Sequence, residues 1–140
     1  MTYRIDIEAL SKPEDLEVLL NGLIAHNIEQ TPAANDRGNI NILIRDETNK
    51  IVGGLKSYYY LQALHVDYLY LNKELRHLGY GKKMLALAEV EAKKHHCGLI
   101  YLSTFSFQAP AYYQKLGFEI FAELDLPTGD KRYYLKKSIS

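Results

Sequence analysis

The sequence predicts a mixed α/β domain in which helices alternate with the strands of one sheet. Three observations carry that expectation. Apolar residues recur at helical spacing in two stretches, Leu16 to Ile24 and Met84 to Ala92. Short alternating or continuous apolar runs mark strands before, between and after them. Gly, Pro, Asn and Asp cluster between the runs, where turns belong. At 140 residues the chain suits one domain, residues 1–140.

The elements follow in order. Thr2 to Ile7 alternates polar and apolar, as a first strand would. Ser11-Lys12-Pro13-Glu14 reads as a capping box that opens a helix fading near Asn27. Thr31 to Gly38 is a loop, with Pro32, Asn35, Asp36 and Gly38. Asn39 to Arg45 and Lys50 to Tyr60 are strands around a turn at Asp46-Glu47-Thr48-Asn49. Gly53-Gly54 signals a bulge or a close backbone approach. Leu64 to Leu71 is a third strand, apolar enough on both faces to lie centrally. Gly81 to His96 is a helix, Leu99 to Thr104 a buried strand and Ala109 to Leu116 a short helix ended by Gly117. Phe118 to Leu124 and Lys131 to Lys136 close the chain as a strand pair.

Composition excludes several functions. Lys+Arg equals Asp+Glu at 17 each, which gives no electrostatic footprint for nucleic acid or an anionic membrane. The run Tyr58-Tyr59-Tyr60 therefore reads as pocket lining or a dimer face rather than a base-stacking platform. One cysteine rules out an internal disulfide and a cysteine-based metal site. His95-His96-Cys97 is a poor metal motif, because adjacent helix residues do not share a face. No apolar run approaches the ~20 residues of a membrane span, and the N-terminus is no signal peptide. A soluble, cytoplasmic protein without metal, nucleic-acid or membrane partner is the expectation.

Arg76-His77-Leu78-Gly79-Tyr80-Gly81-Lys82 lies between a strand and a helix. Glycines there free the backbone to approach a ligand. The first amides of the following helix lack internal partners, and the helix dipole adds positive potential. Such a terminus is an anion site, with phosphate the usual guest. A P-loop would need Gly at position 76 and a hydroxyl at 83, where Arg76 and Lys83 stand. A dinucleotide fingerprint would need Gly at Met84. The pattern that remains is Arg-x-x-Gly-x-Gly.

With that loop, the preceding strand Asp67-Tyr68-Leu69-Tyr70-Leu71 and the later Ala109-Pro110-Ala111-Tyr112-Tyr113-Gln114-Lys115-Leu116-Gly117-Phe118, the chain resembles the GNAT superfamily of N-acetyltransferases from about Leu64 to Phe121. Ser106-Phe107-Gln108-Ala109-Pro110 resembles its small bacterial members. The resemblance implies a GNAT-like fold, its mixed central sheet splayed at the cofactor site with helices on both faces. It also implies acetyl-coenzyme A as co-substrate and no metal. The backbone of Leu69, Tyr70 and Leu71 would meet the pantetheine arm, and Arg76, His77, Leu78, Gly79, Tyr80, Gly81 and Lys82 would wrap the pyrophosphate. At His77 only the backbone need matter. Ser106 stands, by spacing, where such proteins often place a cofactor-facing Asn.

Direct transfer to an amine needs a base, an oxyanion donor and an acid. Tyr113 occupies the family's Tyr position, the general acid toward the thiolate; an aromatic on a short helix can also be core. Tyr112 reads as packing and Cys97 as inert. The Leu71 amide is the oxyanion donor. Alternation puts His65, Asp67, Leu69 and Leu71 on one strand face, and family members place the base at a position matching His65 or Asp67. Asp67 as a structural acceptor, with water as base, is the alternative. The acceptor is a small-molecule or peptide amine, bound between the loop Thr31 to Gly38, the strands around Tyr58 to His65 and the hairpin near Pro127 to Lys131. A silent acyl-coenzyme A sensor or scaffold is the rival class. Oligomeric state stays open, a homodimer included.

Overall fold

A computed structural model describes all 140 residues and divides the chain into two units, Met1–Asn35 and Asp36–Ser140. In the first unit α1 spans Pro13–Gln30. Pro13 opens it, where a missing N–H costs nothing and φ is already helical. Glu14 and Asp15 suit the positive end of the helix dipole. The capping box expected from Ser11 does not form: Lys12 is the N-cap residue, and the Ser11 hydroxyl donates to Glu8, 2.8 Å away. The helix runs three residues past Asn27, whose carbonyl accepts the Thr31 N–H before a 3-10 turn at Pro32–Asn35. The strand expected at Thr2 to Ile7 is absent. Its period-2 pattern is real, but no segment pairs with it, and a strand exists only through its ladder.

The second unit holds a seven-stranded sheet. Its strands are β1 (Arg37–Asn39), β2 (Ile42–Arg45), β3 (Ile51–Tyr60), β4 (Ala63–Leu71), β5 (Leu99–Phe105), β6 (Glu119–Asp125) and β7 (Lys131–Ser138). Helix α2 (Tyr80–Lys94) connects β4 to β5, and α3 (Pro110–Lys115) connects β5 to β6. The sheet order is β1-β3-β4-β5-β7-β6, with β2 beside β1 on the outer edge of β3. Only β4 and β5 run parallel. The mixed α/β class expected from the sequence is the one observed.

Local chemistry explains the details. The single strand expected from Asn39 to Arg45 breaks into β1 and β2 at Ile40-Asn41. Buried Ser57 bridges the break: its hydroxyl donates to the Ile40 carbonyl, its own carbonyl accepts the Ile40 N–H, and its N–H donates to Asn41 Oδ1. At the β2–β3 turn the Asp46 carboxylate accepts the Thr48 N–H, the Thr48 hydroxyl and the Lys50 N–H. Gly54 meets the close-approach expectation, since a Cβ there would sit 2.7 Å from the Ile42 carbonyl oxygen.

One side of α2 buries Met84, Leu85, Ala88 and Ala92 against Leu55, Leu64, Val66, Ile100, Leu102 and Leu135 of the sheet. Each such Leu or Met contributes about 1.5–3 kcal/mol by leaving water. Two irregularities of β4 then shape what lies at its end. Opposite Lys56 and Ser57 stand Tyr68 and Val66, so Asp67 is the extra residue of a β-bulge. Farther along, the parallel ladder stops at Val66 and Leu102, and β4 and β5 part.

Candidate active site

The parting of β4 and β5 opens a cleft of about 890 Å³. Leu69, Leu71, Gly79, Gly81, Thr104 and Tyr113 are among its lining residues. The wall from β4 is main chain. Asn72 N–H donates to the Val52 carbonyl, so Gly53 and Leu71, one step along, form a non-hydrogen-bonded pair. By alternation the N–H and C=O of Leu69 and Leu71 point away from β3 into the cleft. Those of Tyr70 face Gly54 instead, and its ring lies exposed.

The floor at the far end is the loop Arg76 to Lys82. His77 and Gly79 have φ of 65° and 88°, two left-handed residues in one turn. No side chain caps α2, and the first helical amide with a backbone partner is that of Lys83, on the Gly79 carbonyl. The amides ahead of it are free to hold an anion. Arg76 Nε donates to the Leu71 carbonyl at 3.0 Å and its guanidinium lies 5.9 Å from the Tyr70 ring centre, which ties the loop to β4. A side chain at Gly79 would meet nothing, so space is kept there; one at Gly81 would run into the Tyr112 hydroxyl.

A side-chain cluster stands at the bulge. His65 Nδ1 lies 2.8 Å from Asp67 Oδ1, and Lys56 Nζ lies 2.5 Å from Asp67 Oδ2. Burial pushes the Asp67 pKa upward, but the hydrogen bonds from Lys56 and His65 outweigh it and hold the carboxyl below its usual value. Lys56 is raised by the same bond. An ionised carboxylate only accepts, so Nδ1 carries the hydrogen between the two, and in the neutral ring the lone pair is then on Nε2. The rings of Tyr58 and Tyr101 stand 5.2 and 4.7 Å from the imidazole.

Tyr113 is placed by a cap. Gly117, at φ 95°, ends α3 with its N–H on Gln114 and the Phe118 N–H on Tyr113, a Schellman arrangement. It folds Phe118 back edge-on to the Tyr113 ring, 5.9 Å between centres. Burial raises the Tyr113 pKa, with Tyr112 adding to it.

Residues 6–118 match the acetyltransferase (GNAT) family model. An acetyltransferase of Agrobacterium fabrum, Atu2258, is 32% identical over 116 residues, 82% of this chain and 84% of that protein. The chain belongs to the acetyltransferase (GNAT) family. Blasticidin-S acetyltransferase of Streptomyces morookaense is 34% identical to this GNAT chain over 95 residues, 66% of it and 70% of the relative. The crystal structure of an Agrobacterium tumefaciens protein named as an acetyltransferase superposes with a TM-score of 0.88 at 28% identity, covering 97% of this chain and 99% of that one. This GNAT protein is an acetyl-coenzyme A-dependent acetyltransferase.

The cleft of this GNAT enzyme suits that co-substrate in chemistry. The main-chain edge of Leu69 and Leu71, where Arg76 Nε holds the Leu71 carbonyl, turns away from β3 and can pair with the amides of a pantetheine arm, and the uncapped start of α2 suits a pyrophosphate. Arg76, Lys82 and Lys115 add cationic charge among the lining residues, and none has a carboxylate within ion-pair distance.

Several expectations need correction. Alternation put His65, Asp67, Leu69 and Leu71 on one face. The bulge breaks it: His65 and Asp67 face Lys56, whereas Leu69, paired with buried Leu55, and Leu71 pack on the core. Ser106 and Leu78 do not line the cleft. The Ser106 hydroxyl accepts the Lys131 N–H at 3.0 Å, and Gln108 turns the corner there, its Oε1 taking the Phe105 N–H. Asp67 lines the cleft, and His65 stands behind it. Tyr112, expected as packing, faces the cleft over Gly81. Cys97 is buried and its thiol is pushed up by that burial. Sequence reasoning missed Lys56 and Arg132. Alternation within β3 puts Lys56 beside Tyr58 and could have found it; Arg132 needed the β5–β7 register.

Proposed function

We infer that the enzyme acetylates the amine of a small molecule by direct transfer, with the His65–Asp67 pair as base and Tyr113 as acid. Acetyl-coenzyme A supplies the activated acetyl thioester when bound. Leu69 and Leu71 would hold its arm by their main-chain groups, and the Gly79 to Lys82 amides its pyrophosphate. The Leu71 N–H is the donor aimed along that edge for oxyanion charge. Asp67 lines the cleft and His65 stands behind it, so the proton of the attacking amine passes to this pair through water. The Asp67 carboxylate, fixed by Lys56, holds the imidazole in that tautomer and favours the imidazolium that forms. Tyr113, protonated at neutral pH, delivers a proton to the departing thiolate. The name of the Streptomyces relative supports a small-molecule acceptor.

The observation that carries this reading is the strand edge of Leu69 and Leu71, turned away from β3 and converging on an uncapped helix start. Calorimetric titration with acetyl-coenzyme A, beside ATP and NAD, tests it. Acetyl-coenzyme A alone should bind. Equal binding of all three, or none, would reduce the loop to a strand-to-helix turn.

A further inference from the structure

The face of the sheet that carries His65 and Asp67 also carries an arginine with no part in the chemistry above. Pairing register puts Tyr101, Ser103 and Phe105 of β5 on that face, because His65 pairs with Tyr101 and their rings meet, and it puts Arg132 and Tyr134 of β7 there too. Arg132 reaches from β7 across to β5. Its Nε and Nη2 both donate to Ser103 Oγ, at 3.1 and 2.8 Å. Its guanidinium carbon stands 5.4 Å from the Phe105 ring centre and 5.3 Å from that of Tyr134.

The guanidinium is thus fixed in place by neutral groups. It has no carboxylate partner: Asp67 is held by Lys56 and His65, and the nearby Glu123 and Asp125 pair with Lys131. Ser103 occupies only the Nε–Nη2 edge. The Nη1–Nη2 edge keeps two parallel N–H donors, the fork that matches a carboxylate. Arg132 lines the cleft. Ser103 lies one step past the last β4–β5 pair, in the row of Asp67. The charge therefore faces Asp67 across the gap where β4 and β5 part. The cations at the loop end await phosphate; Arg132 is on the other strand pair and does not. A plain ammonium would bring a second positive charge beside it.

We propose that Arg132 is the carboxylate reader of the acceptor site, and that the acceptor is an amine that also bears a carboxylate, an amino acid in type. This rests on the acetyltransferase reading above and narrows its substrate class.

The test is thiol release from acetyl-coenzyme A with the L-α-amino acids and β-alanine, each against its carboxamide. At least one acid should be preferred by roughly 10- to 100-fold in kcat/KM, the range of a charge-assisted bidentate pair. Arg132→Gln should erase that preference while acetyl-coenzyme A affinity by calorimetry stays unchanged. Arg132→Lys, which keeps charge without the fork, should restore part of it. Carboxamides accepted equally well, a preference that survives Arg132→Gln, or no acid acetylated by protein that binds acetyl-coenzyme A would each overturn the proposal. Loss of acetyl-coenzyme A binding in both variants would place Arg132 in the co-substrate's part of the cleft and overturn its assignment to the acceptor. Wild-type protein that does not bind acetyl-coenzyme A fails the underlying reading, and the proposal falls with it.

Discussion

The two ends of the cleft are made of different material. At the loop end the groups proposed to function are main-chain amides, held by Gly79, by the left-handed turn at His77 and by the start of α2. At the bulge they are side chains, Lys56, His65 and Asp67, joined by hydrogen bonds of 2.5 and 2.8 Å. Main-chain donors are common to nearly every residue, so the loop end depends on shape and on where glycine stands. The bulge depends on identity at each position. One region should therefore fail in binding and the other in turnover.

Gly79→Glu should break the loop end outright. Any side chain at φ 88° is strained, by about 1–2 kcal/mol, and this one adds negative charge to an anion site. Acetyl-coenzyme A affinity should fall at least about 100-fold by calorimetry, with the circular dichroism spectrum kept; retained affinity would sink the cradle. His65→Gln should leave that affinity alone and lower kcat by roughly 10²- to 10⁴-fold, the span of general acid–base catalysis. Equal losses in binding and turnover would erase the contrast between the two ends. Tyr113→Phe should cost less, roughly tenfold in kcat, because a thiolate leaves well without help. An unchanged kcat would make Tyr113 core packing against Phe118.

Lys56→Met should have the smallest effect. The Asp67 pKa is lowered in the folded chain, so its contribution to stability is whole above the ordinary ~3.9 and fades as pH falls through the lowered value. Removing Lys56 raises that pKa toward ordinary. The variant should lose less stability than the parent between pH 5 and pH 2 in urea melts. At neutral pH the loss should stay below about 1 kcal/mol, since Lys56 is half exposed. Identical pH profiles would mean the ion pair does not form in solution.

The same contrast decides what the sequence made legible. The loop announces itself through local rules, glycine at a left-handed turn and an uncapped helix, so Arg76 to Gly81 can be read from order alone. Gly117 and its cap on Tyr113 are local too. The bulge is different. An extra residue at Asp67 is invisible to a period of two, and it moved Leu69 and Leu71 to the opposite face from the one expected. Ser106 was located by counting, but a turn is closed by whichever amide arrives, here that of Lys131 from 25 residues away. Arg132 shares a face with Ser103 only through pairing between distant strands. Thr2 to Ile7 shows the converse, a pattern without a ladder to join.

The gap where β4 and β5 part also bears on the endurance of the protein. A sheet opened at its centre is missing a strand, and the pantetheine arm has the length and the amides of a short one. Binding at the proposed site would complete the ladder, and the enzyme should then gain heat resistance in proportion to how full its cleft is: about 2.7 kcal/mol at a ligand concentration a hundred times Kd. The pool of acetyl-coenzyme A would act on this chain as a stabiliser as well as a reagent.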